Sequence, residues 1–431
     1  MIYGKNNIGK SYAISIVYMV LKAMPHFSSR GKLEQFVDYS LAQIDSTQPP
    51  SVVFAGLISR LFELEFVRKF QDLLISSYGS IEKTENKFNP AMRGFIEIKT
   101  NSLKLIYTPQ SAINGVFLAD ESDDQFEVNY SDQDKVLLDS LLPDQFRDFT
   151  ILHFAKFLNE VNLYRQSINY LPAVRSGIYL GYINFGSMVA SLNQYQSQFK
   201  DNRFSLPNTT IPVSDYFMKL TEARFATPSV QFLDIIKSLE EDILGGSVIM
   251  DKDSGRISHY SFALKEVFDL AEVSSMVSEL SIIVAYIKYV IRDYGIFDLS
   301  KQEPEFIFGV RPLLFIEEPE AHLHPEAQIK LMNSLSSLSN LGVHVIITTH
   351  SDYMLDCLGN IILGGGIGSK EVASKLMIKS KTGSIVSRKM AAKPYGIEDH
   401  NFLGATEKLF NERIELNEKY NARISSENKK S

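Results

Sequence analysis

Several features that define common protein classes are scarce or missing in this sequence. Its 431 residues include one cysteine, Cys357, and no tryptophan. A single cysteine excludes an internal disulfide, which is typical of proteins in a reducing compartment. The first residues also lack the basic, apolar and small segments of a signal peptide. These absences predict a cytoplasmic protein.

Long apolar runs and an excess of positive charge are missing as well. Crossing a bilayer takes about 20 apolar residues, and the run from Leu280 to Ile291 is interrupted by Lys288 and bounded by Glu279 and Arg292. We therefore expect a soluble protein with no membrane partner. The 44 Lys and Arg residues against 51 Asp and Glu residues give a formal net charge of -7. DNA remains a candidate partner, but the charge does not indicate it.

The hydrophobic pattern divides the chain into helical and strand-rich segments. Helical insertions are predicted at about 31–90 and 178–245, and an antiparallel β portion at about 91–130. Helices and strands alternate over about 264–360, which is typical of a parallel α/β core. A hairpin and a charged helix are predicted over about 371–425.

Two finer expectations concern local structure. The segment Ser167 to Gly177 is predicted to be a strand that ends in a Gly-containing turn, followed by helices with a polar break near 201–208. Between Phe36 and Tyr78, apolar residues recur three or four apart, so we expect them to share one helix face. These residues are Phe54, Leu57, Leu61, Leu64, Val67, Phe70 and Leu74.

The sequence GKNNIGKS near the N-terminus fits the pattern G-x-x-x-x-G-K-[ST] between a predicted strand and a predicted helix. Backbone N–H groups of such a loop surround a phosphate, and the positive end of the helix supports it. On this motif alone, a Gly-rich turn without a ligand stays open. The predicted nucleotide-binding residues are Gly4, Lys5, Asn6, Asn7, Ile8, Gly9, Lys10 and Ser11.

Two later strands also end in polar residues. The apolar run Leu313 to Ile316 is followed by Glu317 and Glu318, and the run VHVIITTH ends in His350. The carboxyl ends of parallel strands meet at one edge of a sheet, so these residues are expected beside the phosphate loop. A lone histidine is more often structural, but three strand-end features in this order favour a nucleotide site.

At this point the sequence resembles the ABC-type ATPases, in particular the RecF/SMC-like branch that includes the ATPase half of OLD-family proteins. FIEEPEAHLHP followed by IITTHS carries the resemblance. It implies an α/β fold: one P-loop ABC-type ATPase head over 1–431, with a mixed, largely parallel sheet, an antiparallel β subdomain and helical insertions.

The resemblance also implies roles for individual residues. It implies that ATP is the substrate and that Mg²⁺ is held by Ser11 and Glu317. Glu318 stands where the family has the carboxylate that orients water, and His350 stands where it has the switch histidine. Ser274 and Ser275, in EVSSMVSEL, stand where the signature motif contacts the nucleotide of a partner subunit. The alternative for these serines is an ordinary helix cap.

Some features depart from the family or remain open. The phosphate loop begins at Gly4, whereas family members have a longer segment before it, so either the native start lies upstream or the adenine site is short. Gln35, Gln43 and Gln71 are all candidates for the Q-loop glutamine. Arg175 lies in a Pro-x-x-Arg element, and a structural salt bridge is an equal alternative for it.

Two other clusters are weaker candidates. His322 and His324 could suggest zinc, although a third ligand at typical spacing is missing. Asp251 and Asp253 resemble the paired acids of a nuclease, but Gly255 beside them favours a hairpin turn. The residues after His350 contain no D-x-D pair, so we expect a stand-alone ATPase without a Toprim nuclease domain.

The resemblance implies a bacterial ATPase that forms a homodimer or higher homo-oligomer. Its expected role is the ATPase component of an anti-phage defence system that controls a separately encoded effector, such as a nuclease, through nucleotide-dependent dimerisation. The alternative is a RecF-like DNA-repair ATPase whose closed dimer clamps duplex DNA.

Overall fold

A computed structural model of the protein describes most of the chain. The described residues are 1–4, 9–25, 27, 29–43, 47–79, 96–99, 104–108, 125–129, 132–162, 167–181, 183, 209–291, 311–381, 383–387, 392–393, 396–397 and 403–427. Of the predicted nucleotide-binding residues, Lys5, Asn6, Asn7 and Ile8 lie outside these ranges, as does the predicted polar break near 201–208.

The strands form three sheets, and the largest has six strands. The strands are β1 (Ile2–Gly4), β2 (Ile96–Lys99), β3 (Lys104–Thr108), β4 (Gln125–Asn129), β5 (Ile168–Leu171), β6 (Gly246–Met250), β7 (Ile257–Ser261), β8 (Glu266–Asp269), β9 (Leu313–Glu317), β10 (His344–Thr349), β11 (Lys375–Ser380) and β12 (Gly383–Val386).

Helices surround the large sheet and form a second core beside it. They are α1 (Lys10–Ala23), α2 (Arg30–Leu41), α3 (Pro50–Phe62), α4 (Arg68–Tyr78), α5 (Asp132–Asp139), α6 (Pro143–Val161), α7 (Ile211–Ala223), α8 (Leu233–Leu239), α9 (Ser275–Ala285), α10 (Pro325–Asn340), α11 (Asp352–Leu363) and α12 (Leu403–Glu427). Short π-helical turns span Glu63–Val67, Glu240–Leu244 and Tyr286–Val290, and a 3₁₀ turn spans Ser369–Glu371. No helix among the described residues is long and apolar enough to cross a membrane.

The large sheet has the order β12-β11-β1-β10-β9-β5. All neighbouring strands are parallel except β11 and β12, which form the predicted C-terminal hairpin. Every residue of β9 is buried, as expected for a central strand covered on both faces. The carboxyl ends of β1, β9 and β10 therefore lie side by side, with the start of α1 directly after β1.

Two smaller antiparallel sheets accompany this core. The order β2-β3-β4 confirms the predicted antiparallel subdomain. The predicted hairpin around Asp253 is also present, since β6 pairs with β7. A third strand, β8, extends that sheet. The fold class predicted from the sequence is confirmed: a mixed, largely parallel sheet with an antiparallel portion and helical segments.

The prediction of a single apolar face between residues 54 and 74 is wrong at Leu64. Leu64 is 57% exposed, whereas Phe66 is fully buried. The reason is the π-helical turn Glu63–Val67, which lies between α3 and α4. A π turn holds more residues than an α turn, so the face that points to the core shifts along the sequence.

The prediction of a turn around Gly177 is also wrong. Residues 175–181 are helical, and this helix begins four residues after β5 ends. Arg175 lies in its first turn and is completely buried. The segment after β5 thus carries a charged side chain into the protein interior, toward the ends of β9 and α9.

Candidate nucleotide site

Gly4 and the residues at the start of α1 are the described part of the predicted phosphate loop. Gly9 precedes α1 with a φ of 81°, a left-handed conformation that is costly for residues with a Cβ. Its carbonyl accepts the N–H of Ala13 at 2.9 Å, which begins the helix. Lys10 is buried and Ser11 is exposed. The first turn of α1 thereby presents backbone N–H groups and the Lys10 side chain.

Glu317 lies at the carboxyl end of β9. It is 8% exposed, and its Oε1 accepts a hydrogen bond from the hydroxyl of Tyr170 on the neighbouring strand β5. Burial, followed by the negative charge of Glu317, raises the pKa of Tyr170, so the phenol remains a donor. Tyr170 therefore orients one carboxylate oxygen of Glu317 and leaves the other for a ligand.

Glu318 has an unusual backbone conformation, with a φ of 43°. Such a conformation is strained for a residue with a side chain and is maintained only by its surroundings. The N–H of Glu318 donates to the carbonyl of Thr348 at 2.8 Å. Its own carbonyl accepts Nη2 of Arg175 at 2.9 Å. Together with the N–H of Ala321, which donates to the same carbonyl at 3.0 Å, these bonds hold the Glu318 backbone.

His350 directly follows β10 and lies beside the side chains of Lys10 and Glu318. Nζ of Lys10 lies 2.8 Å from Nε2 of His350, and that same Nε2 lies 3.4 Å from Oε1 of Glu318. Burial lowers the pKa of Lys10, while the negative charges of Glu318 and Glu320 oppose this effect. The structure thus brings together the three strand-end groups that the sequence singled out.

Sequence reasoning missed Glu320, which positions His350. Oε1 of Glu320 accepts the backbone N–H of His350 at 2.6 Å. Burial raises the pKa of the Glu320 carboxyl group. Tyr170 and Glu320 both escaped prediction because their roles depend on neighbours in space. The only sequence signal for Glu320 is its place in EEPEAH, two residues after Glu318.

The predicted signature serines lie at the beginning of α9. Ser274 caps the helix, since its hydroxyl accepts the N–H of Val277 at 3.4 Å. Ser275 is exposed and its side chain is not needed for the cap. The helix-cap alternative therefore describes Ser274 within one protomer. Both serines lie at an exposed helix start, which is the geometry that contact with a second protomer requires.

Glu279, one turn further along α9, does not take part in the cap. Its Oε2 accepts Nη1 of Arg175 at 3.1 Å, and its Oε1 accepts the N–H and the hydroxyl of Ser176 at 3.3 and 2.5 Å. Arg175 also donates to the carbonyl oxygens of Glu317 and Glu318. The salt bridge left open for Arg175 is thus present, and it connects α9 with the end of β9.

Comparisons with known proteins agree with this arrangement. Residues 187–355 match the family model of the AAA ATPase domain. The chain is 54% identical over 43 residues to the Old nuclease of Escherichia phage P2, which corresponds to 10% of this chain and 7% of that relative's length. Residues 187–355 of this chain are therefore similar to an AAA ATPase domain, and a short stretch of it is similar to an OLD-family nuclease. The matched domain contains Glu317, Glu318 and His350.

Heads of SMC proteins are among the solved structures similar to this chain. The SMC head domain from Thermotoga maritima is 10% identical, with 90% of this chain and 88% of that chain covered and a TM-score of 0.34. An Smc head domain with an extended coiled coil, bound to the C-terminal domain of ScpA and derived from Pyrococcus furiosus, is 11% identical, with 96% and 92% covered and a TM-score of 0.35.

The side chains at the candidate site fit a magnesium ion held largely by a nucleotide. Mg²⁺ prefers oxygen ligands and keeps several waters, so it needs one or two protein ligands beside phosphate oxygens. The hydroxyl of Ser11 and the free oxygen of Glu317 are ligands of this kind. Among the described residues there is no cluster of three or more His, Cys, Asp or Glu side chains that could hold a metal alone.

Among the described residues, the two weaker candidate clusters are not part of any group of three or more His, Cys, Asp or Glu side chains. His322 and His324 are both exposed. Asp251 accepts the N–H and the hydroxyl of Ser254, both at 2.6 Å, and these bonds lower the pKa of Asp251. Asp251 is thereby used in the β6–β7 turn. Of the glutamines, Gln43 accepts a hydrogen bond from Arg60.

Proposed function

We propose that this ATPase hydrolyses Mg·ATP in a site completed by a second protomer and controls a separately encoded effector. The observation that carries the hydrolytic part is the convergence of Lys10, Glu318 and His350. Nε2 of His350 lies within 3.4 Å of both the Lys10 ammonium and the Glu318 carboxylate. A cation, a base and a hydrogen-bonding imidazole are the groups that phosphoryl transfer to water requires.

Each group has a distinct role in this proposal. Lys10 neutralises the β- and γ-phosphates, and the N–H groups at the start of α1 bind phosphate oxygens. Glu318 orients the attacking water and accepts its proton. His350 donates a hydrogen bond to the γ-phosphate. Ser11 and Glu317 would hold Mg²⁺, which supplies charge neutralisation along the phosphates.

The second protomer enters through Ser274 and Ser275. These exposed serines begin α9, whose N-terminal end favours a negative ligand. A γ-phosphate held by one protomer can be contacted by the α9 end of its partner, so each dimer contains two shared sites. Since the contact exists only with ATP, ATP favours the closed dimer and ADP does not.

Mixing two inactive variants tests the shared site. Lys10→Ala removes the phosphate-binding lysine, and Ser275→Arg places a bulky cation at the interface. A mixed dimer has one site with an intact phosphate loop facing an intact α9, so we expect it to show ATPase activity that neither variant has alone, at no more than about half of the wild-type rate per dimer, since one of two sites is complete. Lack of recovery, with mixing shown by differently tagged protomers, contradicts the assignment of Ser275.

The control of an effector in anti-phage defence is the broader part of the proposal. It is supported by the resemblance to OLD proteins and by the local identity to a phage-encoded nuclease. Phage challenge of cells that express the ATPase with its neighbouring gene tests it. We expect protection with wild type and none with Lys10→Ala. Equal protection without the neighbouring gene contradicts a separate effector.

Binding to duplex DNA is the property that would favour the alternative function, a RecF-like DNA clamp. Glu318→Gln should hold ATP in the closed dimer, so it is the suitable variant for a binding assay with labelled duplex DNA. ATP-stimulated binding that weakens steeply with salt would favour the RecF-like DNA clamp instead. The net charge of -7 does not by itself indicate such binding.

A further inference from the structure

A buried arginine, Arg175, bonds two elements of the candidate site, α9 and the end of β9. Arg175 is 0% exposed, and its partner Glu279 is 4% exposed. Nη1 of Arg175 donates to Oε2 of Glu279 at 3.1 Å. Nη2 donates to the carbonyl oxygens of Glu317 and Glu318, at 3.1 and 2.9 Å. One guanidinium thus bonds both α9 and the end of β9.

Glu279 and Arg175 each make further hydrogen bonds that hold them in place. Oε1 of Glu279 accepts two hydrogen bonds from Ser176, so α9 and the helix at 175–181 share three contacts. The hydroxyl of Tyr216 donates to the carbonyl of Arg175 at 2.8 Å. A displacement of α9 therefore moves Arg175, because neither the carboxylate nor the guanidinium has free space in which to adjust.

The other end of the connection is the strained residue of the site. Glu318 has a φ of 43°, and the Arg175 bond to its carbonyl is one of three hydrogen bonds that its backbone makes, beside those with Thr348 and Ala321. The Arg175 guanidinium therefore bonds the backbone of the residue whose carboxylate lies beside His350. Backbone strain of this kind allows two discrete arrangements separated by a small energy difference.

We propose that Arg175 is a positioning residue that couples the two ATP sites of the dimer. The proposal rests on the proposed function, in which α9 of one protomer contacts the nucleotide bound by its partner. Ser274 and Ser275 then sense ATP in the partner's site, while Glu318 of the same protomer acts in its own site. When the partner's site closes on ATP, Arg175 transmits this change to Glu318 in the protomer's own site. The rate of hydrolysis therefore depends cooperatively on the ATP concentration.

The competing explanation is a purely structural ion pair. Removing one charge leaves the other buried and unpaired, which destabilises any protein. Two variants avoid that problem. Arg175→Lys keeps the charge but cannot reproduce the guanidinium fork to three acceptors. Arg175→Met combined with Glu279→Leu removes both charges and keeps similar volumes.

The chain provides a matched control pair away from the site. Nζ of Lys288 lies 2.8 Å from Oε1 of Glu240, with the side chains 15% and 10% exposed. Lys288 also donates to the carbonyl of Val248 in β6. Lys288→Met combined with Glu240→Leu removes a comparable pair without touching the ends of β9 or α9. It reports the general effect of losing a buried pair.

The experiment measures ATP affinity and the ATPase rate as a function of ATP concentration for each variant. We expect wild type to show a Hill coefficient above about 1, bounded by the two sites of a dimer. Arg175→Lys and the Arg175–Glu279 double variant should bind ATP about as well as wild type, with kcat reduced about 10- to 100-fold, as a small misplacement of a catalytic group does. Their Hill coefficient should fall to about 1, the value for independent sites.

The control double variant should lose thermal stability but keep the wild-type Hill coefficient. A hyperbolic wild-type curve overturns the coupling, as does an unchanged Hill coefficient in the folded Arg175 variants. Recovery of activity on mixing Lys10→Ala with Ser275→Arg separates the two proposals. If recovery occurs and the Hill coefficient of Arg175→Lys is unchanged, only the coupling is wrong; if recovery fails, the shared site is wrong as well.

Discussion

Nζ of Lys10 lies 2.8 Å from Nε2 of His350, although 340 residues separate them in the chain. The contact exists because β1 and β10 are adjacent parallel strands, with Tyr3 paired to Thr349. Nζ also lies 3.4 Å from Nδ1 of the same ring, so the lysine faces both ring nitrogens of His350. The same geometry places both groups where a γ-phosphate can separate them.

Lys10→Ala should abolish ATP binding, because it removes the buried positive charge beside the phosphate loop. Calorimetric titration with ATP is the measurement. Lys22→Ala is the matched control, since Lys22 lies on the same helix and pairs with Asp215 instead. Unchanged ATP affinity in Lys10→Ala would show that the phosphates bind elsewhere.

Glu318→Gln should retain ATP binding but lose at least about 100-fold in the steady-state hydrolysis rate, the range typical of a lost general base. The amide has nearly the same shape, yet it cannot accept a proton from water. Phosphate release and ATP affinity are measured on the same protein. Glu326→Gln is the control, since Glu326 is exposed at the start of α10. A rate within about tenfold of wild type assigns the role to another group.

Tyr170→Phe should raise the Mg²⁺ concentration needed for half-maximal hydrolysis by about tenfold, the lower end of what losing a hydrogen bond to a metal ligand costs. The variant removes the hydroxyl that orients Glu317 and keeps the ring. Tyr18→Phe is the control. The ring centroid of Tyr18 lies 5.3 Å from that of Tyr170, but the Tyr18 hydroxyl donates to Asp215 and not to Glu317. An identical Mg²⁺ requirement in Tyr170→Phe argues against Glu317 as a ligand.

Lys219 should make the stability of the protein depend on pH in a defined direction. Burial lowers the pKa of Lys219 from 10.5 to about 8. Between these values the unfolded chain holds a proton that the native state has released, so the native state gains stability as the pH rises. Relative to Lys219→Met, the free energy of unfolding of wild type should therefore increase by about 1 to 2 kcal/mol from about pH 7.5 to 9.5.

Urea unfolding at both pH values measures this difference, and comparison with Lys219→Met cancels the contribution of other titrating groups. Lys237→Met, at an exposed position on α8, is the matched control. Its free energy of unfolding should change with pH by the same amount as that of wild type. If the free energy of unfolding changes with pH by the same amount in wild type and in Lys219→Met, the Lys219 ammonium is solvated in the native state.

Local sequence patterns predicted most elements because hydrophobic periodicity acts over one or two turns. The strand before the phosphate loop, the hairpin at Asp253 and the alternating elements around β9 and β10 all appear in the structure. The failure at Leu64 has a local cause that the pattern does not reveal. A π turn depends on how α3 and α4 pack against the second core, so the sequence period alone misassigned the buried face.

The sequence by itself determined which residues stand at the ends of β1, β9 and β10, since a motif sets the order of residues along one strand and loop. Only the tertiary structure decided which of them touch. The bond between Tyr170 and Glu317 requires β5 beside β9, and the connection from Glu279 through Arg175 to Glu318 requires a buried charge shared by three elements. Such contacts depend on strand order and on pairing of charges in the interior, where an unpaired charge is too costly to remain.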